Sequence, residues 1–220
     1  MCGVAVVPPK IKFCGITSPA DAQQAADAGA WAVGVILWPG SPRACRTAVA
    51  AEVAATLRRR LEVVGVFVDP TLDELTRAAD EIGLTMLQLH GDEGPVFCAE
   101  AARRTGCRVI KAARVSSGAD IQALAPFHTG FHLLDSHVEG LPGGTGETFA
   151  WELARAHRGP SKLILSGGLR PGNVAEAIET VRPFAVDVAS GVEAAPGVKD
   201  PAKITAFAEA VASTGALAAP

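Results

Sequence analysis

The chain contains no tyrosine, and aromatic residues make up only 5% of it. Its five cysteines, Cys2, Cys14, Cys45, Cys98 and Cys107, include no CxxC pair. They match neither a disulfide framework nor a zinc site, and the expected compartment is a reducing cytoplasm. His128 and His132 are four apart in a strand–turn context rather than on a helix, so the reading is that no metal is bound. No apolar run is long enough to span a bilayer, and the opening MCGVAVVPP lacks the basic region of a signal peptide. A formal charge of −3 leaves no electrostatic footprint for nucleic acid or an anionic membrane. The densest basic run, residues 58–60, reads as the solvated end of a helix.

What the chain does have is apolar substance. Its 220 residues are 49% hydrophobic and 20% charged, enough for one well-buried core. Short β-branched or apolar runs at 10–14, 32–37, 63–68, 84–90, 108–113, 131–135, 162–166 and 185–189 alternate with stretches rich in Ala, Glu and Arg. The latter predict helices at about 18–28, 46–61, 71–82, 94–105, 117–125, 148–157, 172–181 and 200–213. Ser18-Pro19, Pro70-Thr71-Leu72 and Pro171-Gly172-Asn173 supply helix starts, and AADAGA, EIGL and RTGCR put glycine just past helix ends.

Most of the strand runs are continuously apolar instead of alternating. That pattern marks strands covered on both faces, hence a parallel sheet with helical crossovers. Eight such units predict one α/β domain over 1–220, a closed (β/α)8 TIM barrel, with 1–9 as an N-terminal extension and 214–220 as a frayed tail. A doubly wound open sheet is the runner-up, but no GxGxxG follows the first strand.

In a (β/α)8 barrel the chemistry sits where strands end. Polar residues collect there: Cys14, Arg43 in the following loop, Asp69, Gln88 and His90, Lys111, Asp135, Ser166, and Asp187 with Ser190. SGGLRPGN after strand 7 and SGVEAAPGVKD after strand 8 hold small residues that let backbone approach a ligand. Together they predict a phosphate site.

The ordered set KFCGIT, GSPR, VGVFVD, LQLHGDE, IKA, LLDS, GGTGETFAW, LSGGLRPGNV and FAVDVASGVEAAPGVKD resembles the phosphoribosylanthranilate isomerases of tryptophan biosynthesis, over about residues 10–207. The resemblance implies an Amadori rearrangement of N-(5-phosphoribosyl)anthranilate to the 1-deoxyribulose phosphate isomer, without metal or organic cofactor. It implies Cys14 as general base and Asp135 as general acid. It further implies a substrate-binding set: Arg43 on the anthranilate carboxylate, Gln88 and His90 lining the pocket, and Asp187 and Glu193 supporting that pocket from strand 8 and its loop. Gly167, Gly168, Ser190 and Gly191 would hold the phosphate through backbone N–H groups. The expected partner is a small-molecule substrate, and a homodimer is left open.

Two departures stand out. No aromatic follows SPR, so Trp38 is the candidate for an aromatic wall, and FAW replaces an expected FDW, removing a carboxylate at Ala150. Without the family, each residue has a plainer role. A free cysteine is more often packing than a base, Asp135 can cap a loop, and Asp187 can bind neighbouring amides. A thiol near its ordinary pKa also needs a nearby cation before it serves as a base, and Lys12, on the strand face of Cys14, is one candidate. Another sugar-phosphate isomerase and a non-catalytic phosphate-ligand binder are the competing functions.

Overall fold

The structure, a computed structural model, describes residues 7–57, 60–135 and 151–216. Cys2, Ala150 and the expected start of the sixth helix lie outside those residues. The order is β1 (Lys10–Cys14), α1 (Pro19–Asp27), β2 (Ala32–Ile36), α2 (Thr47–Leu57), β3 (Glu62–Phe67), α3 (Leu72–Ile82), β4 (Met86–Leu89) and α4 (Pro95–Thr105). There follow β5 (Arg108–Arg114), α5 (Gly118–Gln122), β6 (Phe131–Asp135), α6 (described over 151–154), β7 (Lys162–Ser166), α7 (Val174–Val181) and β8 (Ala185–Val188). After β8 come a 3-10 turn (Ser190–Val192), β9 (Glu193–Ala195), β10 (Val198–Lys199) and α8 (Pro201–Ala216).

The eight long strands pair in sequence order, all parallel, and β8 closes onto β1. The expected barrel is therefore the observed fold. Two local features differ from expectation. The strand-8 loop carries a small antiparallel hairpin, β9–β10, turned at Gly197, whose φ of 80° only glycine adopts readily. Helix α8 also runs past residue 213 to Ala216, because Val211 and Thr214 are still buried on its inner face.

Local chemistry explains the element ends. Ser18 caps α1 through its hydroxyl. Thr71 and Glu74 form a reciprocal capping box on α3, a device that contributes roughly 1 kcal/mol. Gly83 and Gly106 end α3 and α4 in the left-handed conformation.

Strand period 2 sorts each strand into an inner and an outer row. Ile11 and Phe13 face the helices, whereas Lys12 and Cys14 face the barrel interior. The interior is apolar at its base, filled by Val64, Met86, Ile110, Leu133 and Ile164. Beneath them Trp31, Phe131 and Phe184 pack with ring centroids 5.5–5.7 Å apart. One layer higher the interior turns polar, with Lys12, Gln88 and Asp187 all buried. Polarity thus rises along the barrel axis toward the strand C-termini.

Candidate active site

Parallel register sets Lys12 opposite Asp187, Cys14 opposite Gly34 and Asp135 opposite Ser166. Lys12 is fully buried, and its Nζ donates to Asp187 Oδ1 at 2.7 Å. The other carboxylate oxygen, Oδ2, accepts from Ser166 Oγ at 3.1 Å. Directly above Lys12 lies Cys14, 5% exposed. A Cβ added at Gly34 would come within 2.9 Å of Cys14 Sγ and 3.1 Å of Lys12 Nζ. The absence of a side chain there is what lets thiol and ammonium sit together against β2.

The electrostatics of this cluster oppose one another. Burial pushes the Cys14 thiol above its ordinary value; the Lys12 ammonium pulls it back, Asp187 adds to the rise, and Lys199 pulls down. Burial likewise disfavours the Lys12 ammonium, but Asp187 and Cys14 outweigh it and hold the amine charged.

At the end of β4, Gln88 Nε2 lies 3.3 Å from His90 Nδ1. An amide nitrogen can only donate, so Nδ1 accepts and the ring proton is assigned to Nε2. That nitrogen lies 4.0 Å from Asp135 Oδ2. Burial outweighs the opposing pull of Asp135 and lowers the His90 pKa, so burial favours the neutral ring. Gln88 is 2% exposed, and its Oε1 has no hydrogen-bond partner among the described residues.

Arg43 approaches from the β2–α2 loop. Its Nε and Nη2 donate to Glu193 Oε1 and Oε2, both at 2.8 Å. This side-on fork uses two of the five N–H groups and leaves the Nη1 edge of the guanidinium for a further acceptor. The Glu193 hydrogen bonds raise the Arg43 pKa further. Glu193 Oε1 also accepts from Lys199 Nζ at 3.2 Å and Gly197 N at 3.3 Å. Burial alone would raise the Glu193 pKa, but Arg43 and Lys199 outweigh it and hold the carboxylate ionised. Gly15, at φ 71°, stands where a Cβ would come within 2.8 Å of the Arg43 stem.

The loops after β7 and β8 interlock. Gly167 and Gly168 have φ of 95° and 63°. Asn173 Oδ1 accepts from Arg170 N at 2.8 Å while its Nδ2 donates to Gly168 O at 3.1 Å, so the residue expected only to start α7 also stitches the glycine loop. Gly191 is packed so closely that a Cβ would run into the Leu169 carbonyl.

The geometry therefore brings Cys14, Gln88, His90, Asp135, Ser166 and Asp187 to the inner row at one end of the barrel, with Arg43 and the two glycine loops around its rim. Three residues stand back from direct contact with a substrate at this mouth. Asp187 and Glu193 are buried, with both oxygens of each engaged by protein groups, so they stand behind the site instead of facing it. Trp38, 43% exposed, lines an outer groove with Pro39, Phe67, Pro70 and Arg77 toward α3.

Lys199 and Glu93 were not singled out from sequence, and Lys111 was noted at its strand without a partner. Glu93 accepts from Asp69 N at 2.9 Å, Gly91 N at 3.0 Å and Lys111 Nζ at 2.7 Å, and Lys111 also donates to Gly91 O at 2.6 Å. This network ties the loops after β3 and β4 together directly beside His90. The available signal was an acid and a lysine inside otherwise apolar or glycine-containing motifs.

A closed parallel barrel with titratable side chains at its C-terminal mouth and paired glycine loops after the last two strands defines a barrel enzyme of acid–base chemistry on a small anionic substrate. The family described as N-(5'phosphoribosyl)anthranilate (PRA) isomerase matches residues 11–210. The N-(5'-phosphoribosyl)anthranilate isomerase of Citrifermentans bemidjiense is 45% identical over 195 residues, covering 89% of this chain and 93% of that protein. The crystal structure of phosphoribosyl anthranilate isomerase from Thermotoga maritima superposes with a TM-score of 0.85 at 39% identity, covering 92% of this chain and 98% of that one. A phosphoribosyl anthranilate isomerase in complex with reduced 1-(o-carboxyphenylamino)-1-deoxyribulose 5-phosphate gives 0.81 at 36% identity, over 92% and 98% of the two chains. Engineered monomers of the dimeric Thermotoga maritima enzyme give 0.80 at 35%, with the same coverage. The chain belongs to the phosphoribosylanthranilate isomerase family.

Proposed function

We propose that this chain isomerises N-(5'-phosphoribosyl)anthranilate to 1-(2-carboxyphenylamino)-1-deoxyribulose 5-phosphate, in tryptophan biosynthesis, with Cys14 as base and Asp135 as acid. The observation that carries the roles is that both side chains lie on the inner row at the same barrel end, three strands apart in the closed order β6-β7-β8-β1. In the first step Asp135, carrying a proton, gives it to the ring oxygen. The C1–O bond breaks and nitrogen lends its lone pair, forming an iminium. Next the Cys14 thiolate takes the proton from C2. The C–H electron pair becomes the C1=C2 bond of the enolamine, and the C=N π pair returns to nitrogen. Tautomerisation then gives the ketone.

Arg43, pinned by Glu193, offers its remaining edge to the anthranilate carboxylate. Gly167, Gly168, Ser190 and Gly191 receive the phosphate on backbone N–H groups. Gln88 orients His90 so that Nε2–H faces Asp135 and the sugar. Asp187 and Glu193 act as supports, one holding Lys12 and the other Arg43. The chain works as one barrel unit, in the cytoplasm, where its free thiols stay reduced. The dimeric Thermotoga maritima relative supports a homodimer, which sedimentation of the purified protein checks.

The test is turnover of freshly made phosphoribosylanthranilate, followed by loss of its anthranilate fluorescence. Cys14→Ala and Asp135→Asn are each expected to lower turnover at least about a hundredfold. Folded wild-type protein without turnover sinks the assignment, and a near-normal rate in either variant removes that residue from the mechanism.

A further inference from the structure

The base role demands a thiolate, yet Cys14 sits where burial favours the thiol. The same buried layer contains a cation, paired with a carboxylate and next to the thiol. Lys12 Nζ is 2.7 Å from Asp187 Oδ1, and it crowds the same Gly34 position as Cys14, where a Cβ would meet Lys12 Nζ at 3.1 Å and Cys14 Sγ at 2.9 Å. Asp187 is itself anchored by Ser166, and Lys12, fully buried, has no solvent to turn to. We propose that Lys12 and Asp187 form a positioning couple beneath Cys14 in which one ammonium is shared between two anions, holding the thiolate when it forms and returning to Asp187 when the thiol is reprotonated.

This proposal rests on the acid–base reading above and deepens it. A shared ammonium has a definite logic. With Cys14 ionised, the cluster holds one cation and two anions; with Cys14 protonated, it holds a closed Lys12–Asp187 pair. Asp187 therefore competes with the thiolate for Lys12 while keeping Lys12 charged inside the barrel. Removing the two partners must shift the thiol in opposite directions. The other charges facing Cys14 are Lys199 from β10, which favours the thiolate, and the Arg43 guanidinium from the β2–α2 loop. Neither lies on the Lys12–Asp187 hydrogen bond. The couple acts through Cys14 and does not itself touch substrate, so its signature is a titration and not turnover alone.

The experiment follows ionisation of Cys14 in the free protein, by carbon-13 NMR of its labelled Cβ and by peptide-resolved mass spectrometry of iodoacetamide labelling across pH. In Asp187→Asn the thiolate becomes the nearest counter-charge of Lys12, so ionisation shifts to lower pH and labelling near neutrality speeds up. In Lys12→Met it shifts to higher pH, with at least about tenfold less thiolate at any pH below the midpoint. Lys12→Met alone leaves Asp187 buried without its cation and can fail to fold. The double variant Lys12→Met/Asp187→Asn carries no such charge, and comparing it with Asp187→Asn isolates Lys12 in a foldable background. Tenfold slower labelling of the double variant supports the proposal. Equal titration with and without Lys12 overturns it, as does a shift in the same direction on removing either partner. Because no substrate is present, this outcome is independent of whether the chain turns over phosphoribosylanthranilate.

Discussion

The barrel contains the same three chemical groups twice. At the mouth Cys14 lies with Lys12 and Asp187; behind the sheet Cys98, on α4, lies near Lys111 and Glu93. In both clusters the ammonium and carboxylate are 2.7 Å apart and almost inaccessible. The cysteines nevertheless differ. Lys12 crowds the same Gly34 position as Cys14, whereas Lys111 donates to Glu93 and the Gly91 carbonyl and acts on Cys98 only through space. Burial is the largest influence on both thiols and raises both, Cys98 to about 11. On the proposed mechanism the base role falls to the thiol whose neighbouring lysine has a partner it can share, and not to any thiol near a lysine. Glu93 is too committed to share, because it also holds the amides of Asp69 and Gly91. One pair supports two loops; the other, in the proposal above, is coupled to a proton.

The largest expected effect comes from breaking the outer pair. Lys111→Met leaves Glu93 buried with a charge and no cation, a change that costs roughly 3–5 kcal/mol of stability. Chemical denaturation should show that loss, while the Cys14 titration stays where it is in the wild type. Adding Glu93→Gln should restore part of the stability, since the stranded charge is gone, though the amides of Asp69 and Gly91 lose a strong acceptor. A shifted Cys14 titration in either variant would erase the distinction between the two clusters.

The contrast also shows what a sequence reveals. Strand positions were legible because runs such as 32–37 and 63–68 are apolar on both faces, and helix ends because Thr71, Gly83 and Gly106 carry the required capping or backbone chemistry. Cys14, Asp135 and Arg43 stood out as polar residues at strand ends or in the loops beyond them. Their partners did not, because those depend on register across the barrel. Lys12 meets Asp187 from 175 residues away, and Arg43 meets Glu193 from 150. Local pattern contains no such information. The hairpin β9–β10 escaped for another reason: strands of three and two residues are too short to show a period. Lys111 was visible at its strand, but nothing local tells whether it points into the barrel or out to Glu93.

The smallest effect belongs to Cys98 itself, and the absence of tyrosine makes it measurable. With no tyrosine in the chain, ultraviolet thiolate absorbance at alkaline pH has no phenolate beneath it. An unfolded thiol ionises near its ordinary 9.0, whereas folded Cys98 keeps its proton to about 11. Between those values the native state binds more protons than the unfolded one, so stability is full below 9 and falls as pH rises. Cys45 and Cys107, also raised foremost by burial, add to the same slope. Cys98→Ala should remove one proton's contribution, at most about 1.4 kcal/mol per pH unit, and cost roughly 1 kcal/mol at neutral pH for the lost packing. Turnover of phosphoribosylanthranilate should be unchanged, because Cys98 lies outside the barrel interior. A Cys98→Ala variant with the wild-type alkaline slope would mean that this thiol ionises like an exposed one, and the two clusters would then differ less than their geometry implies.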